Sequence, residues 1–272
     1  MRIAFQGERG AYSEEVIIQH FGSSVQPVPK PYLRDTFEAV ESREVDLGLV
    51  PVENTIEGTI VRTYDLLNEK ALKARGETIL RVVHCLITHP EVPIDKIKRV
   101  YSHPQALGQC RRYIEEHGFE PVAAYDTAGS VKMIQDEGLM DSAAIASRRA
   151  AEVYKMKILD QGLETHKENY TRFLIIGDKD VCPTSNDKTS ISFIVDHRPG
   201  TLYNALAAFA NNGIDLTKIE SRPQLGKPWE YVFFIDVIGH RKDKELSLAL
   251  NVLRENSRSI KILGSYPQAR KI

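Results

Sequence analysis

Up to about residue 180 the chain alternates short apolar runs with amphipathic stretches, and after a polar break the order becomes strand, helix, strand, strand, helix, strand. No other feature constrains the fold as tightly. Strand–helix alternation buries an open, mostly parallel sheet between layers of helices. The βαββαβ order instead makes a ferredoxin-like module of about 80 residues.

Arg2–Phe5 reads as the first strand, stopped by Gly7 and Gly10. Ser13 is placed to cap a helix through Phe21, with Glu14 and Glu15 in its first turn. Thr36–Ser42 predicts a second helix and Asp46–Val52 a buried strand. Asn54-Thr55 precedes a long helical pattern through Ile56, Ile60, Tyr64 and Leu67. Ile79–Ile87 is β-like. One helix is expected from Pro104 to His117, a second capped by Thr127 and reaching about Glu137, and a third, Arg148–Tyr154, capped by Ser147. Ala143–Ala146, Ile158–Leu159 and Arg172–Ile176 read as strands. The stretch Pro183–Lys188 is short, polar and opened by proline, as linkers are. Beyond it come strand Thr189–Val195, helix Pro199–Asn212 with Gly213 at its end, strands Leu216–Ser221 and Tyr231–Ile238, helix Lys242–Asn256 and a last strand, Ile260–Leu263.

The 36 basic and 37 acidic side chains leave a formal net charge of −1. No global field therefore draws the chain to nucleic acid or to an anionic membrane, and function has to reside in a local site. Cys85, Cys110 and Cys182 lie far apart without a CxxC pair. That spacing speaks against a disulfide framework or a zinc site and for thiols in a reducing compartment. Met1–Gly7 enters a strand with no signal-peptide segment, and no apolar run approaches the ~20 residues of a membrane span. A cytoplasmic protein is expected.

Five polar clusters fall at strand ends or helix starts, where open α/β sheets bind ligands. Gly7–Ser13 is a glycine loop leading into a helix, either a plain turn or a set of N–H groups for an anion. In Pro51–Thr59, Asn54 and Thr55 either cap a helix or offer donors to a ligand. Ser102, His103 and Gln105 surround a proline that begins a helix; His103 suits acid–base work, a cap or a packing role. Tyr125–Ser130 contains Thr127, again a cap or a donor. Glu168–Phe173 sets the Thr171 hydroxyl beside the Arg172 guanidinium at a strand entry. Strand alternation sends these two to opposite faces unless the chain bends at Tyr170–Thr171. None of the clusters has the pattern of a metal site, a P-loop or a nucleophile elbow. Uncharged donors with arginines suit an anionic small molecule bound without a cofactor.

In order and in wording, these clusters resemble the prephenate dehydratase family. The resemblance runs through the glycine loop and Tyr-Ser-Glu at Gly7–Glu14, Pro51–Gly58 with Thr55 in place of serine, His-Pro-Gln-Ala-Leu at His103–Leu107, and Thr-Arg-Phe at Thr171–Phe173. It covers essentially the whole chain. It implies a two-lobed catalytic domain of the type-II periplasmic-binding-protein kind over residues 1–183, with one lobe at 1–78 and 164–182 and the other at 79–163. Residues 189–272 resemble an ACT domain. Its first motif appears as Gly200-Thr201-Leu202, departing at Thr201, and its second as Glu220-Ser221-Arg222-Pro223. By resemblance these seven positions, with Asp215, would hold phenylalanine between paired ACT domains in a homodimer or homotetramer.

The resemblance also implies a reaction. Prephenate loses its C4 hydroxyl and ring carboxylate to give phenylpyruvate, water and CO2, as a step towards L-phenylalanine, without a cofactor. Thr171 would assist the leaving hydroxyl and Arg172 would serve the carboxylate that stays or the general cleft potential, with Asn54, Thr55, Ser102, His103, Gln105 and Thr127 positioning the substrate. Two rivals stand beside this reading: an enzyme acting on arogenate, and a non-catalytic amino-acid sensor.

Overall fold

The structure, a computed structural model, describes residues 1–224, 226–227 and 229–269, so the last three residues of the 189–272 segment lie outside the described residues. In chain order the strands are β1 (Arg2–Gln6), β2 (Gln26–Lys30), β3 (Leu47–Asn54), β4 (Gly58–Thr59), β5 (Lys73–Arg81), β6 (Cys85–Thr88), β7 (Arg99–Ser102), β8 (Glu120–Ala123), β9 (Ser142–Ala146), β10 (Lys157–Gln161), β11 (Tyr170–Gly177), β12 (Asp187–Ile194), β13 (Leu216–Pro223), β14 (Tyr231–Ile238) and β15 (Ser259–Pro267). The helices are α1 (Tyr12–Phe21), α2 (Leu33–Glu41), α3 (Val61–Glu69), α4 (Pro104–Gln109), α5 (Arg111–His117), α6 (Thr127–Glu137), α7 (Arg148–Tyr154), α8 (Thr201–Ala210) and α9 (Lys244–Glu255). Packing divides the chain into Met1–Gly58 with Ile79–Phe173, and Thr59–Thr78 with Leu174–Ile272. Strands β5 and β11 each pass from one unit to the other.

Three open sheets result, with strand orders β2-β1-β3-β11-β5, where β4 also pairs with β3, then β10-β6-β9-β7-β8, and β13-β14-β12-β15. In the first, β1 pairs in parallel with both β2 and β3. The second departs from the mostly parallel expectation. Strands β7, β8 and β9 are parallel, but β6 runs antiparallel to β9 and β10 antiparallel to β6. Its two faces follow the two-residue period of a strand. Leu86, Ala143 and Ile145 pack with Ala106, Cys110 and Ile114 of the α4–α5 region, whereas Cys85, Ile87, Ala144 and Ala146 pack with α6 and α7.

Several local expectations change. Residues 55–60 are not helical, because Asn54 Oδ1 takes the N–H groups of Ile56 and Glu57 into a side-chain turn and Gly58 follows with φ +82°. Helix α3 starts only at Val61. The Pro104–His117 stretch breaks at Cys110 into two helices. The Ile79–Ile87 run is two strands, because Val82 N–H donates to Asn169 O and His84 N–H to Glu164 Oε2 instead of extending a ladder. Asp126, not Thr127, caps α6, and no side chain caps α1, while Ser147 caps α7 through Ala150 N–H at 3.0 Å. The unexpected strands β2 and β8 are edge strands, the one place where Pro27, Pro29 and Pro121 fit a sheet.

The second unit contains the expected βαββαβ module, its sheet antiparallel throughout. Ile191, Phe193, Ile235 and Val237 pack beneath α8 and α9 through Phe209, Leu246, Leu250 and Leu253. The sheet's other face carries α3. Lys261 Nζ donates to the Leu67, Asn68 and Lys70 carbonyls, neutralising that helix's C-terminus, and Ser192 Oγ donates to Asn68 Oδ1. Among the described residues no helix is long and apolar enough to cross a membrane.

Candidate active site and effector pocket

Asn54 closes β3 and is 9% exposed. Because its Oδ1 is fixed by two backbone N–H groups, its Nδ2 points the other way. There it donates to Asn169 Oδ1 at 2.8 Å, Thr171 Oγ1 at 3.0 Å and Tyr170 O at 3.2 Å. Thr55 clamps the same two segments. Its hydroxyl donates to Glu168 O at 2.8 Å and accepts from Tyr170 N–H at 3.0 Å, while its own N–H donates to Tyr170 O. Thr55 thus holds the start of β11 against the end of β3.

Tyr170–Gly177 is one strand, and its second and third residues take different partners. Thr171 meets Asn54, and Arg172 Nε meets Glu53 Oε2 at 3.2 Å. Two adjacent residues of β11 thus meet two adjacent residues of β3, and strand alternation sends the two pairs to opposite faces.

Four further polar residues join this cluster that the sequence reading left without a role. Asn169 Nδ2 donates to Gln109 Oε1 at 2.8 Å, and Gln109 Nε2 donates to Glu57 Oε1 at 3.2 Å. His84 Nε2 lies 2.9 Å from the same Gln109 oxygen, and Tyr12 Oη lies 2.7 Å from His84 Nδ1. His84 is 2% exposed and Asn169 fully buried. Burial pushes the His84 pKa below its ordinary value, against the opposing Gln109 hydrogen bond and Glu164 charge, and it drives the Tyr12 hydroxyl well above the usual phenol range. A lone histidine inside the apolar Ile79–Ile87 run, and a glutamine beside Cys110, were the signals available.

The remaining expected residues lie differently. Ser102 is fully buried and donates to Ile145 O at 2.6 Å. His103 Nδ1 accepts from Gln105 N–H at 3.3 Å, capping α4, and Gln105 is exposed. Thr127 is half-buried in the first turn of α6. The glycine loop packs on α7: Gly10 has φ +87°, and a Cβ there would stand 2.7 Å from Ala150 Cα. Gly10 N–H donates to Glu14, whose carboxylate also pairs with Arg149, and Ser147 Oγ donates to Gly10 O. These contacts give the loop a structural part.

In the βαββαβ module a pocket of about 340 Å³ is lined by Gly200, Thr201, Leu202 and Ser221, with Asp196, Arg198, Glu230 and Tyr231 among its other walls. Asp215 is exposed away from it. The neighbours of Ser221 on β13 alternate to the α3 side: Glu220 accepts from Thr59 Oγ1 at 2.7 Å, and Arg222 Nε pairs with Asp65 at 2.7 Å. Pro223 is exposed.

An α/β unit whose site is an array of oriented amides and hydroxyls, followed by a ferredoxin-like module with its own pocket, belongs to the class of small-molecule enzymes that carry a regulatory domain. The comparisons with known proteins specify the family. Its Prephenate dehydratase profile matches residues 3–181, and the ACT domain profile matches residues 189–255. The bifunctional chorismate mutase/prephenate dehydratase of Pseudomonas aeruginosa is 39% identical over 271 residues, covering 99% of this chain and 74% of that protein. Solved structures similar over nearly the whole chain include two of note. One is described as GqqA, a novel type of quorum quenching acylase, with 33% identity, 99% of both chains covered and a TM-score of 0.92. The other is prephenate dehydratase from Arthrobacter aurescens in complex with L-Phe, with 29% identity, 98% and 90% coverage and a TM-score of 0.89. The chain belongs to the prephenate dehydratase family and carries an ACT domain.

Proposed function

We propose that this protein converts prephenate to phenylpyruvate, water and CO2 in L-phenylalanine biosynthesis, under control of phenylalanine at the ACT domain. The Asn54–Thr171 hydrogen bond carries the reading. A threonine oxygen that accepts from an amide keeps its own O–H for another acceptor, and the departing C4 hydroxyl of prephenate is such an acceptor. Aromatisation drives the reaction, so the protein's task is to orient the substrate and assist the leaving group. General-acid assistance to a leaving group is worth roughly 10²–10⁴-fold, and positioning with fixed dipoles supplies the rest.

Arg172, a neighbour of Thr171 on one strand and paired with Glu53, serves the general positive potential of the site and not a direct grip. A tight grip on the ring carboxylate would in any case oppose its loss as CO2. Asn54 acts on Thr171, and Thr55 keeps the two strands together. His103, Gln105 and Thr127 are the proposed substrate contacts from the second sheet, with Ser102 supporting them from beneath through Ile145. The catalytic domain is assigned to residues 1–183, with lobes at 1–78 plus 164–182 and at 79–163, and the regulatory domain to 189–272. The profile matches at 3–181 and 189–255 support the split into a catalytic and a regulatory domain.

For the effector we assign Gly200, Thr201, Leu202 and Ser221, which line the module's pocket. Glu220 and Arg222 act one step behind, holding α3 to the sheet. Asp215 and Pro223 are left as contributions from the rim, completed by a second ACT domain in a homodimer or homotetramer. A cytoplasmic location suits a biosynthetic enzyme with three free thiols.

An acylase reading has one observation in its favour, the similarity to GqqA. Acyl transfer needs a nucleophile paired with a base, and the hydroxyl at the centre of this site is paired with an amide. The deciding experiment is phenylpyruvate release from prephenate and phenylalanine release from arogenate, each with and without phenylalanine. Absence of phenylpyruvate sinks the main reading; a preference for arogenate moves the substrate to the amino analogue.

A further inference from the structure

The hydrogen bonds behind Thr171 have a direction that can be followed from two backbone amides outward. Ile56 and Glu57 N–H groups occupy Asn54 Oδ1 at 2.9 and 3.0 Å, so the opposite end of that amide is the donor Nδ2. Asn169 must then turn its oxygen to Asn54 and its Nδ2 to Gln109 Oε1. Gln109 is pinned from the far side too, because its Nε2 faces the Glu57 carboxylate, where an amide oxygen would be repelled. Gln109 Oε1 therefore accepts, and His84 must offer it a hydrogen from Nε2. A neutral ring protonated on Nε2 leaves Nδ1 bare, and Tyr12 donates to it at 2.7 Å, with Val83 O the weaker alternative at 3.3 Å. The other tautomer would set the Nε2 lone pair against the Gln109 oxygen at 2.9 Å.

We propose that Tyr12, His84 and Asn169 are positioning residues. The backbone N–H groups at Asn54 and the Glu57 carboxylate beyond Gln109 set the polarity of the Gln109–Asn169–Asn54 chain. Neutral His84, donating from Nε2 and accepting at Nδ1 from Tyr12, holds that chain in place behind Thr171, which is left as a donor toward the substrate. The activity part of this inference rests on the proposed dehydratase reading; the tautomer does not. The titratable and charged groups around the ring are Tyr12 from α1, Glu164, whose carboxylate accepts the His84 N–H, Glu57 beyond Gln109, and the Cys85 and Cys110 thiols. Burial outweighs the Glu164 charge and keeps the ring neutral. Protonation at Nδ1 would turn a donor onto the Tyr12 oxygen and break the sequence at its far end.

Two measurements test this. Long-range ¹⁵N–¹H spectra of the wild-type chain, assigned with His84→Gln, should show His84 neutral with hydrogen on Nε2 at pH 7; an Nδ1–H tautomer or an imidazolium overturns the proposal, whatever the substrate. In kinetics, Tyr12→Phe and Asn169→Ala should lower kcat about 10- to 100-fold, the scale of one buried hydrogen-bonding group left unpaired, with KM changed much less. His84→Leu should lose as much, and His84→Gln, which keeps a donor at the Nε2 position without titrating, should recover most of that loss and shift the acid limb of the kcat profile to lower pH. Unchanged kcat in folded Tyr12→Phe and Asn169→Ala, or equal losses in kcat and stability for His84→Leu and His84→Gln, would reduce these residues to packing. A wild-type chain that does not turn over prephenate but shows the Nε2–H tautomer would sink the substrate assignment and leave the polarity argument standing.

Discussion

Asn54 Nδ2 donates to Thr171 Oγ1 across 3.0 Å, so the proton of that hydroxyl is left for a different acceptor. Thr171→Ala should lower kcat by roughly 10²–10⁴ with KM within a few-fold, the pattern of a contact made in the transition state. Asn54→Asp is a sharper probe. It preserves the acceptor for Ile56 and Glu57 but removes the donor, and the Thr171 hydroxyl would then donate to the new carboxylate. Steady-state kinetics should show Asn54→Asp nearly as impaired as Thr171→Ala; near-normal kcat in the alanine variant would remove Thr171 from the chemistry.

Lys188 and Glu77 form a buried ion pair on the α3 side of the ACT sheet, with Nζ 2.9 and 3.0 Å from the two carboxylate oxygens. Removing one partner strands the other charge. Lys188→Met should therefore cost about 3–5 kcal/mol in urea unfolding, while adding Glu77→Leu should return most of it. A double variant less stable than either single one would show that the pair is worth more than its desolvation.

These two pairs also mark what could be read without coordinates. Strand–helix alternation and the βαββαβ change of order located the helices and most of the strands, because apolar periodicity records which face is buried, but missed the short strands β2, β4, β7 and β8. Thr171 and Asn54 were legible as clusters at strand ends. The turn at Asn54–Gly58 was not, because Ile56 and Ile60 fit a helical period that a side-chain hydrogen bond overrides. Tyr12 and Asn169 lay inside recognised clusters without a role of their own, and Gln109 and His84 lay outside them, for another reason: the four come from separate segments, and only the fold makes them neighbours. The double duty of β13, with Ser221 on the pocket and Glu220 and Arg222 on α3, follows from strand alternation once the two faces are known.

Gly264 lies where β15 slips register against β12, and a Cβ added there would stand 2.1 Å from Ala74 O. The obstructing atom is backbone, with no rotamer to yield. Gly264→Ala should destabilise the protein by at least about 3 kcal/mol, beyond the usual cost of overpacking, and Ala74→Gly should fail to rescue it because the carbonyl remains. Thermal melts of the two variants and their combination settle the point; a melt of Gly264→Ala close to wild type would contradict it.

The three thiols should differ in reactivity. Cys85 and Cys110 are 1% and 0% exposed, and burial raises both, Cys85 to about 11. Cys182 is exposed. Since the thiolate is the reactive form, Ellman's reagent at pH 8 should titrate Cys182 alone in the native protein and all three after unfolding. Rapid native labelling of Cys110 would mean that the α4–α5 junction opens.

The lowered pKa of His84 also fixes the sign of a stability effect. Below the ordinary value near 6.5 the unfolded chain takes up a proton at this position that the folded chain refuses. The unfolded state then binds more protons, so stability falls as pH falls, by at most about 1.4 kcal/mol per pH unit, until the lowered folded pKa is reached. Above pH 7 the contribution is flat. His84→Gln removes this titration while leaving every other group in place. Urea unfolding of both proteins from pH 8 to pH 5 should therefore show the wild type losing stability relative to His84→Gln only on the acid side. A difference of the opposite sign would mean that Glu164 outweighs burial and that the folded protein holds His84 as a cation, in which case Nδ1 carries a hydrogen and the Tyr12 hydroxyl must turn to Val83 O.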